Sequence, residues 1–105
     1  DYFPLIVFIG VVLAPLAEEI FFRGFVYSGL LEKYGWKKAA FFSSALFALA
    51  HMQLAVMIPT FLLGFVFAYL FHRTKSIFPG IILHFIVNSF AFGSLYLLSF
   101  LEGIA

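Results

Sequence analysis

The chain contains no cysteine. Disulfides, thiolate metal sites and a cysteine nucleophile are therefore all excluded. Charge is nearly as scarce: Lys, Arg, Asp and Glu make up 10% of the 105 residues, against about 25% in soluble domains. A chain so short of polar side chains cannot cover its own surface in water. Aspartate occurs only as Asp1, which rules out a catalytic pair of aspartates. There is no His-Glu-x-x-His run and no Gly-x-Ser-x-Gly elbow, so the helix-borne zinc motif and the strand-turn-helix serine motif are both absent. Ser43, Ser44, Ser89 and Ser94 read as packing residues. A formal net charge of +1 gives no field to hold nucleic acid.

What remains is apolar. Hydrophobic residues are 65% of the chain, 17 residues are Phe, and the mean hydropathy is +1.14. Four apolar segments, 2–31, 37–54, 56–72 and 77–101, approach or exceed the ~20 residues that cross ~30 Å of hydrocarbon. They lack the period-2 alternation of barrel strands, and lipid offers backbone groups no other partner. The predicted fold is all-α: a polytopic transmembrane bundle of about four helices. Pro15 marks a place for the first helix to deform. Pro59 and Pro79 fall in first turns, where a missing N–H costs little.

The breaks between segments carry opposite signals. Lys33, Lys37 and Lys38 flank the first, and Arg73 and Lys75 fill the third. The middle break, around 51–59, has no charged residue. With four spans, loops 32–38 and 73–76 share one face, which the positive-inside rule makes cytoplasmic. Tyr34 and Trp36 read as interface anchors, and His72 as a loop residue without a catalytic part. The opening lacks a basic n-region and is not a signal peptide. The whole of 1–105 reads as a single core domain, and as a segment of a longer protein.

Against this background, the buried-segment polar groups stand out. Ionisable residues at membrane depth are expensive and default to a functional reading. Glu18 and Glu19 lie inside the first segment, with Arg23 four residues after Glu19. That spacing lets Glu19 and Arg23 pair on one helix face, leaving Glu18 about 100° away and free for a cavity. The second segment carries Phe47 and His51, and the fourth His84 and Asn88, each pair again four apart. Counted at 1.5 Å per residue from the basic end, Glu18 and His51 lie about 20 Å deep, His84 about 10 Å and Asn88 about 16 Å, so polar groups of the three helices can meet inside the bilayer. A carboxylate beside a His suits general base chemistry. A His and an amide on one face can donate to an oxyanion. Small residues at Gly24, Ser28, Gly64 and Ala68 offer close-approach surfaces for self-association.

The ordered set Glu18-Glu19-x-x-x-Arg23, Phe47-x-x-x-His51 and His84-x-x-x-Asn88 resembles the CPBP family. These are intramembrane proteases related to the type II CAAX prenyl endopeptidase, and the family includes bacteriocin-immunity members. The resemblance covers nearly the whole chain as the family's core domain, and implies further helices before it. It implies an enzyme, an intramembrane endopeptidase of the prokaryotic cell membrane acting on a peptide or membrane protein. Glu18 and His51 would activate a water, His84 and Asn88 would stabilise the oxyanion, and Glu19, Arg23 and Phe47 would support them. No cofactor is then required. The alternative is a divalent metal such as zinc on Glu18, His51 and His84. Prenyl specificity does not follow from the shared motifs. Two other readings compete: a non-catalytic immunity or scaffold protein, and a proton-coupled transporter. The latter lacks the repeats and broken helices such proteins use.

Overall fold

The computed structural model describes residues 1–104. Among these, the chain forms four helices and no strand: α1 (Phe3–Tyr34), α2 (Trp36–Ala50), α3 (Met57–Thr74) and α4 (Phe78–Ile104). Three stretches are long and apolar enough to cross a membrane: α1, α3 with its lead-in turn (Leu54–Thr74), and Phe78–Gly103 of α4. The protein is an all-α membrane bundle. α2, expected over 37–54 as a full span, has 15 residues, or about 22 Å, and falls short of ~30 Å of hydrocarbon.

The reason α2 stops is local. In a continuing helix the His51 N–H would take the Phe47 carbonyl. It bonds Ala48 O instead, at 3.2 Å, and Met52 N–H bonds Leu49 O at 3.0 Å. The His51 ring takes the abandoned carbonyl, Nδ1 to Phe47 O at 2.7 Å, so a side chain caps the orphaned acceptor. Met52 then turns left-handed at φ 54° and Gln53 is extended. Elsewhere Gly35, at φ 85°, lets the chain reverse directly from α1 into α2. Lys75 closes α3 at φ 57°.

α1 is one helix with two widened, π-helical stretches, Ile9–Leu13 and Ile20–Tyr27. Pro15 cannot donate to Val11 O and its ring crowds that carbonyl. The turn just before it is the wide one, with Ala14 N–H bonding Ile9 O. The glutamates occupy the α-helical stretch between the two wide ones (Ala14–Glu19).

Consecutive helices run antiparallel. Trp36 at the start of α2 stacks on His72 near the end of α3 (ring centroids 5.0 Å apart, planes at 19°), and Phe41 packs on Phe61. His72 therefore lies in the last turn of α3 rather than in a loop. The basic residues around Lys37 and those around Arg73 consequently meet at one end of the bundle. There Tyr27, Ala39, Ala40 and Ala68 form a fully buried core, closed by Trp36, Leu31 and Phe71. A second core of Phe22, Phe47 and Phe67 sits deeper, beneath the polar groups. Gly64 and Ala68, read above as self-association surfaces, are spent inside this bundle. A Cβ at Gly64 would come within 3.2 Å of Ser44 Cα, so α2 and α3 meet nearly backbone to backbone.

Candidate functional site

α4 joins α1 through residues spaced by four. Gly80 lies against Glu19, His84 bonds both glutamates, Asn88 bonds the Gly10 carbonyl, Phe92 covers Gly10 and Tyr96 packs on Phe3. Spacing by four puts these side chains along one stripe of the helix. The rest of α4 is largely exposed: Phe90 is 77% and Leu95 63% accessible.

The centre of the site is a chain of charged groups. Arg23 Nη1 donates to Glu19 Oε2 at 3.1 Å, and Nη2 donates to the Gly64 carbonyl at 2.9 Å. His84 Nδ1 lies 3.0 Å from the same Glu19 oxygen, and His84 Nε2 lies 3.1 Å from Glu18 Oε1. A carboxylate only accepts, so the imidazole donates from both nitrogens or one carboxyl supplies the proton. With His84 doubly protonated, two negative and two positive groups cancel. That matters in hydrocarbon, where an unpaired charge is costly.

Aromatic rings wall this chain. The Arg23 guanidinium lies over Phe47 at 4.5 Å and Phe67 at 5.0 Å from the ring centres, two cation–π contacts from rings set nearly perpendicular to each other, at 84°. His84 stacks on Phe67 (4.8 Å, 18°) and meets Phe47 edge-on. Phe47 also contacts His51, at 4.7 Å between centroids. Phe47 thus touches Arg23, His84 and His51 together.

The two glutamates differ in access. The Glu19 and Arg23 side chains are each 1% exposed, whereas Glu18 is 30% exposed. Only Glu18 can meet a water or substrate without rearrangement. At His51 the partner is a carbonyl, which cannot donate, so Nδ1 carries the hydrogen and Nε2 of the neutral ring is left as acceptor. No hydrogen bond or ion pair joins His51 to Glu18, and none joins His84 to Asn88, among the described residues. Asn88 spends one amide hydrogen on Gly10 O, at 2.9 Å, and keeps the other.

No three His, Asp or Glu side chains gather at metal-ligand spacing among the described residues. The alternative set of Glu18, His51 and His84 is therefore not assembled in this arrangement, and His84 already faces a carboxylate from each nitrogen.

Sequence reasoning missed Phe67, Gly80 and Gly10, and read Gly64 as a self-association surface where its carbonyl receives Arg23. Phe67 was one phenylalanine among 17. The glycines had a usable signal: Gly80 precedes His84 by one turn, extending the His84-x-x-x-Asn88 ladder backwards.

The chain that carries these paired glutamates, the arginine and the histidine on apolar helices falls in a known protein family. A model of that family, described as type II CAAX prenyl endopeptidase Rce1-like, matches residues 1–90. The chain is a member of it. The candidate membrane peptidase YdiL of Bacillus subtilis (strain 168) is 34% identical over 87 residues, covering 83% of this chain and 36% of YdiL. The UPF0177 protein YxdF of Lactococcus lactis subsp. lactis (strain IL1403) is 30% identical over 88 residues, 83% of this chain and 48% of YxdF. This chain thus spans between about a third and a half of those relatives. No solved structure matches it.

Proposed function

We propose that the protein is an intramembrane endopeptidase using Glu18 as its general base. The observation that carries this is the asymmetry of the glutamate pair: Glu19 is sealed between Arg23 and His84, while Glu18 shares His84 and remains accessible. Family membership and the likeness to a candidate membrane peptidase support the reaction class.

The Glu18 carboxylate takes a proton from water as the oxygen attacks the scissile carbonyl carbon. His51, with Nδ1 held by Phe47 O, offers Nε2 as an acceptor to position that water. The carbonyl oxygen becomes an oxyanion, stabilised by His84 Nε2–H, released from Glu18 as Glu18 turns to the water, and by the free amide hydrogen of Asn88. The C–N bond then breaks, and Glu18 passes its proton to the leaving amine. The products are a carboxylic acid and an amine, which ionise together to carboxylate and ammonium, and the enzyme is returned unchanged. Glu19 fixes the His84 ring through Nδ1, and Arg23 neutralises Glu19. Phe47 and Phe67 keep bulk lipid and water off the charged chain. By the positive-inside rule the basic end faces the cytoplasm in this proposal. The substrate is an extended peptide segment within or beside the membrane.

The test uses the purified full-length protein in detergent with a quenched peptide library of plain and lipidated members. Cleavage by wild type, lost by about 10³-fold in Glu18→Gln and indifferent to a chelator, is the expected result. Full activity in a folded Glu18→Gln protein contradicts the assignment, and loss on chelation moves Glu18, His51 and His84 to metal ligation. Absence of any cleavage by wild type favours an immunity or scaffold role.

A further inference from the structure

Resting on the endopeptidase reading, we infer that Gly80 is a positioning residue. It sets the distance at which Glu19 holds His84, and so fixes the histidine opposite Glu18. Gly80 is buried on α4, one turn before His84. A Cβ built there would lie 2.8 Å from Glu19 Oε1 and 3.6 Å from Glu19 Cδ. Within 4 Å it meets only atoms of this one carboxyl group. A clash with the tip of a free side chain would be relieved by rotation. Glu19 has no such freedom. Its Oε2 receives both Arg23 Nη1 and His84 Nδ1, and its side chain is 1% exposed. The Oε1 atom has no hydrogen-bond partner and rests against the bare α-carbon of Gly80. A methyl group there must either turn the carboxylate off His84 or push α4 away from α1. Each outcome shifts His84 relative to Glu18.

The other glycine contacts have different neighbours. A Cβ at Gly64 would press on Ser44 Cα and Phe47 Cδ2 as well as on Arg23, so it reads on packing. A Cβ at Gly10 would run into the Phe92 ring. Gly93, on the same helix as Gly80, has nothing within 4 Å and serves as the control. Gly80 is therefore the glycine whose replacement addresses the carboxylate alone.

The experiment compares wild type, Gly80→Ala, Gly93→Ala, Glu19→Asp and the double variant Gly80→Ala/Glu19→Asp in the full-length protein. Cleavage gives kcat and KM, and nitrogen-15 spectra of the histidine rings report the bonding of His84 with or without activity. Gly80→Ala should lower kcat about 10- to 100-fold with KM nearly unchanged and move the His84 ring resonances; Gly93→Ala should do neither. In the Glu19→Asp background, whose shorter side chain clears the methyl, the Gly80 change should cost less than about threefold further. Unaltered kcat and spectra in Gly80→Ala overturn the inference, as does a loss of equal size in both backgrounds. If Gly80→Ala alone fails to fold, a folded double variant supports the inference, and a double variant that also fails overturns it. If wild type cleaves nothing, the endopeptidase reading falls, while the spectra still decide whether Gly80 sets the Glu19–His84 contact.

Discussion

The α2–α3 pair and the α1–α4 pair are joined by opposite means. α2 and α3 meet through Ser44, Ala48, Gly64 and Ala68, small buried residues that bring two backbones together. α4 meets α1 through Gly80, His84 and Asn88, a glycine and two polar groups bonded to glutamates and to a backbone carbonyl. In a bilayer neither pair gains from a hydrophobic effect between helices, so contact must come from close packing or hydrogen bonds. The first pair uses packing and yields a rigid frame. The second adds hydrogen bonds to the contacts of Phe92 with Gly10 and Tyr96 with Phe3, which puts the candidate catalytic groups at the seam. The polar groups that would carry chemistry also attach the fourth helix.

That contrast can be broken from either side. The largest effect is expected at the polar seam, in activity. On the proposed mechanism Asn88→Ala removes a donor to the developing oxyanion and should lower kcat about 10²- to 10³-fold, while the lost bond to Gly10 O costs only about 0.6–1.7 kcal/mol of stability. Steady-state cleavage and unfolding in mixed detergent separate the two. A stability loss with full kcat would reduce Asn88 to interhelical glue. A smaller effect, of a different kind, is expected in the packed pair. Gly64→Ala presses a methyl onto Ser44 Cα and the Phe47 ring and should cost about 1–3 kcal/mol of stability, read as a lowered midpoint in the same unfolding assay. An unchanged midpoint would show that α2 and α3 part without cost, and that the frame is not rigid.

Much of this was legible in the sequence. Membrane class, helical spans and the Glu19–Arg23 spacing follow from composition and from residues four apart. The antiparallel order, with both basic breaks at one end, follows from four segments in series. The length of α2 did not, because the apolar run continues through Met52 and Leu54 and hides the stop. The stop depends on which donor takes the Phe47 carbonyl, a three-dimensional competition between the His51 backbone and its ring. The pairing of His84 was also hidden. Spacing put His84 with Asn88 on one face, but only the approach of α4 to α1 gives both ring nitrogens to glutamates and sends Asn88 to Gly10. That approach depends on the absence of a Cβ at Gly80, whose spacing of four before His84 marks its face but not what it touches.

The most direct test of the account uses a membrane-soluble carbodiimide, which modifies carboxyl groups from within the bilayer. Full-length protein would be treated, the modified glutamate located by peptide mass spectrometry, and residual cleavage measured on the same samples. With Glu18 30% exposed and Glu19 1%, the account predicts modification of Glu18 and not of Glu19, with loss of cleavage in proportion to it. Equal modification of both glutamates, or full cleavage by protein modified at Glu18, would contradict it.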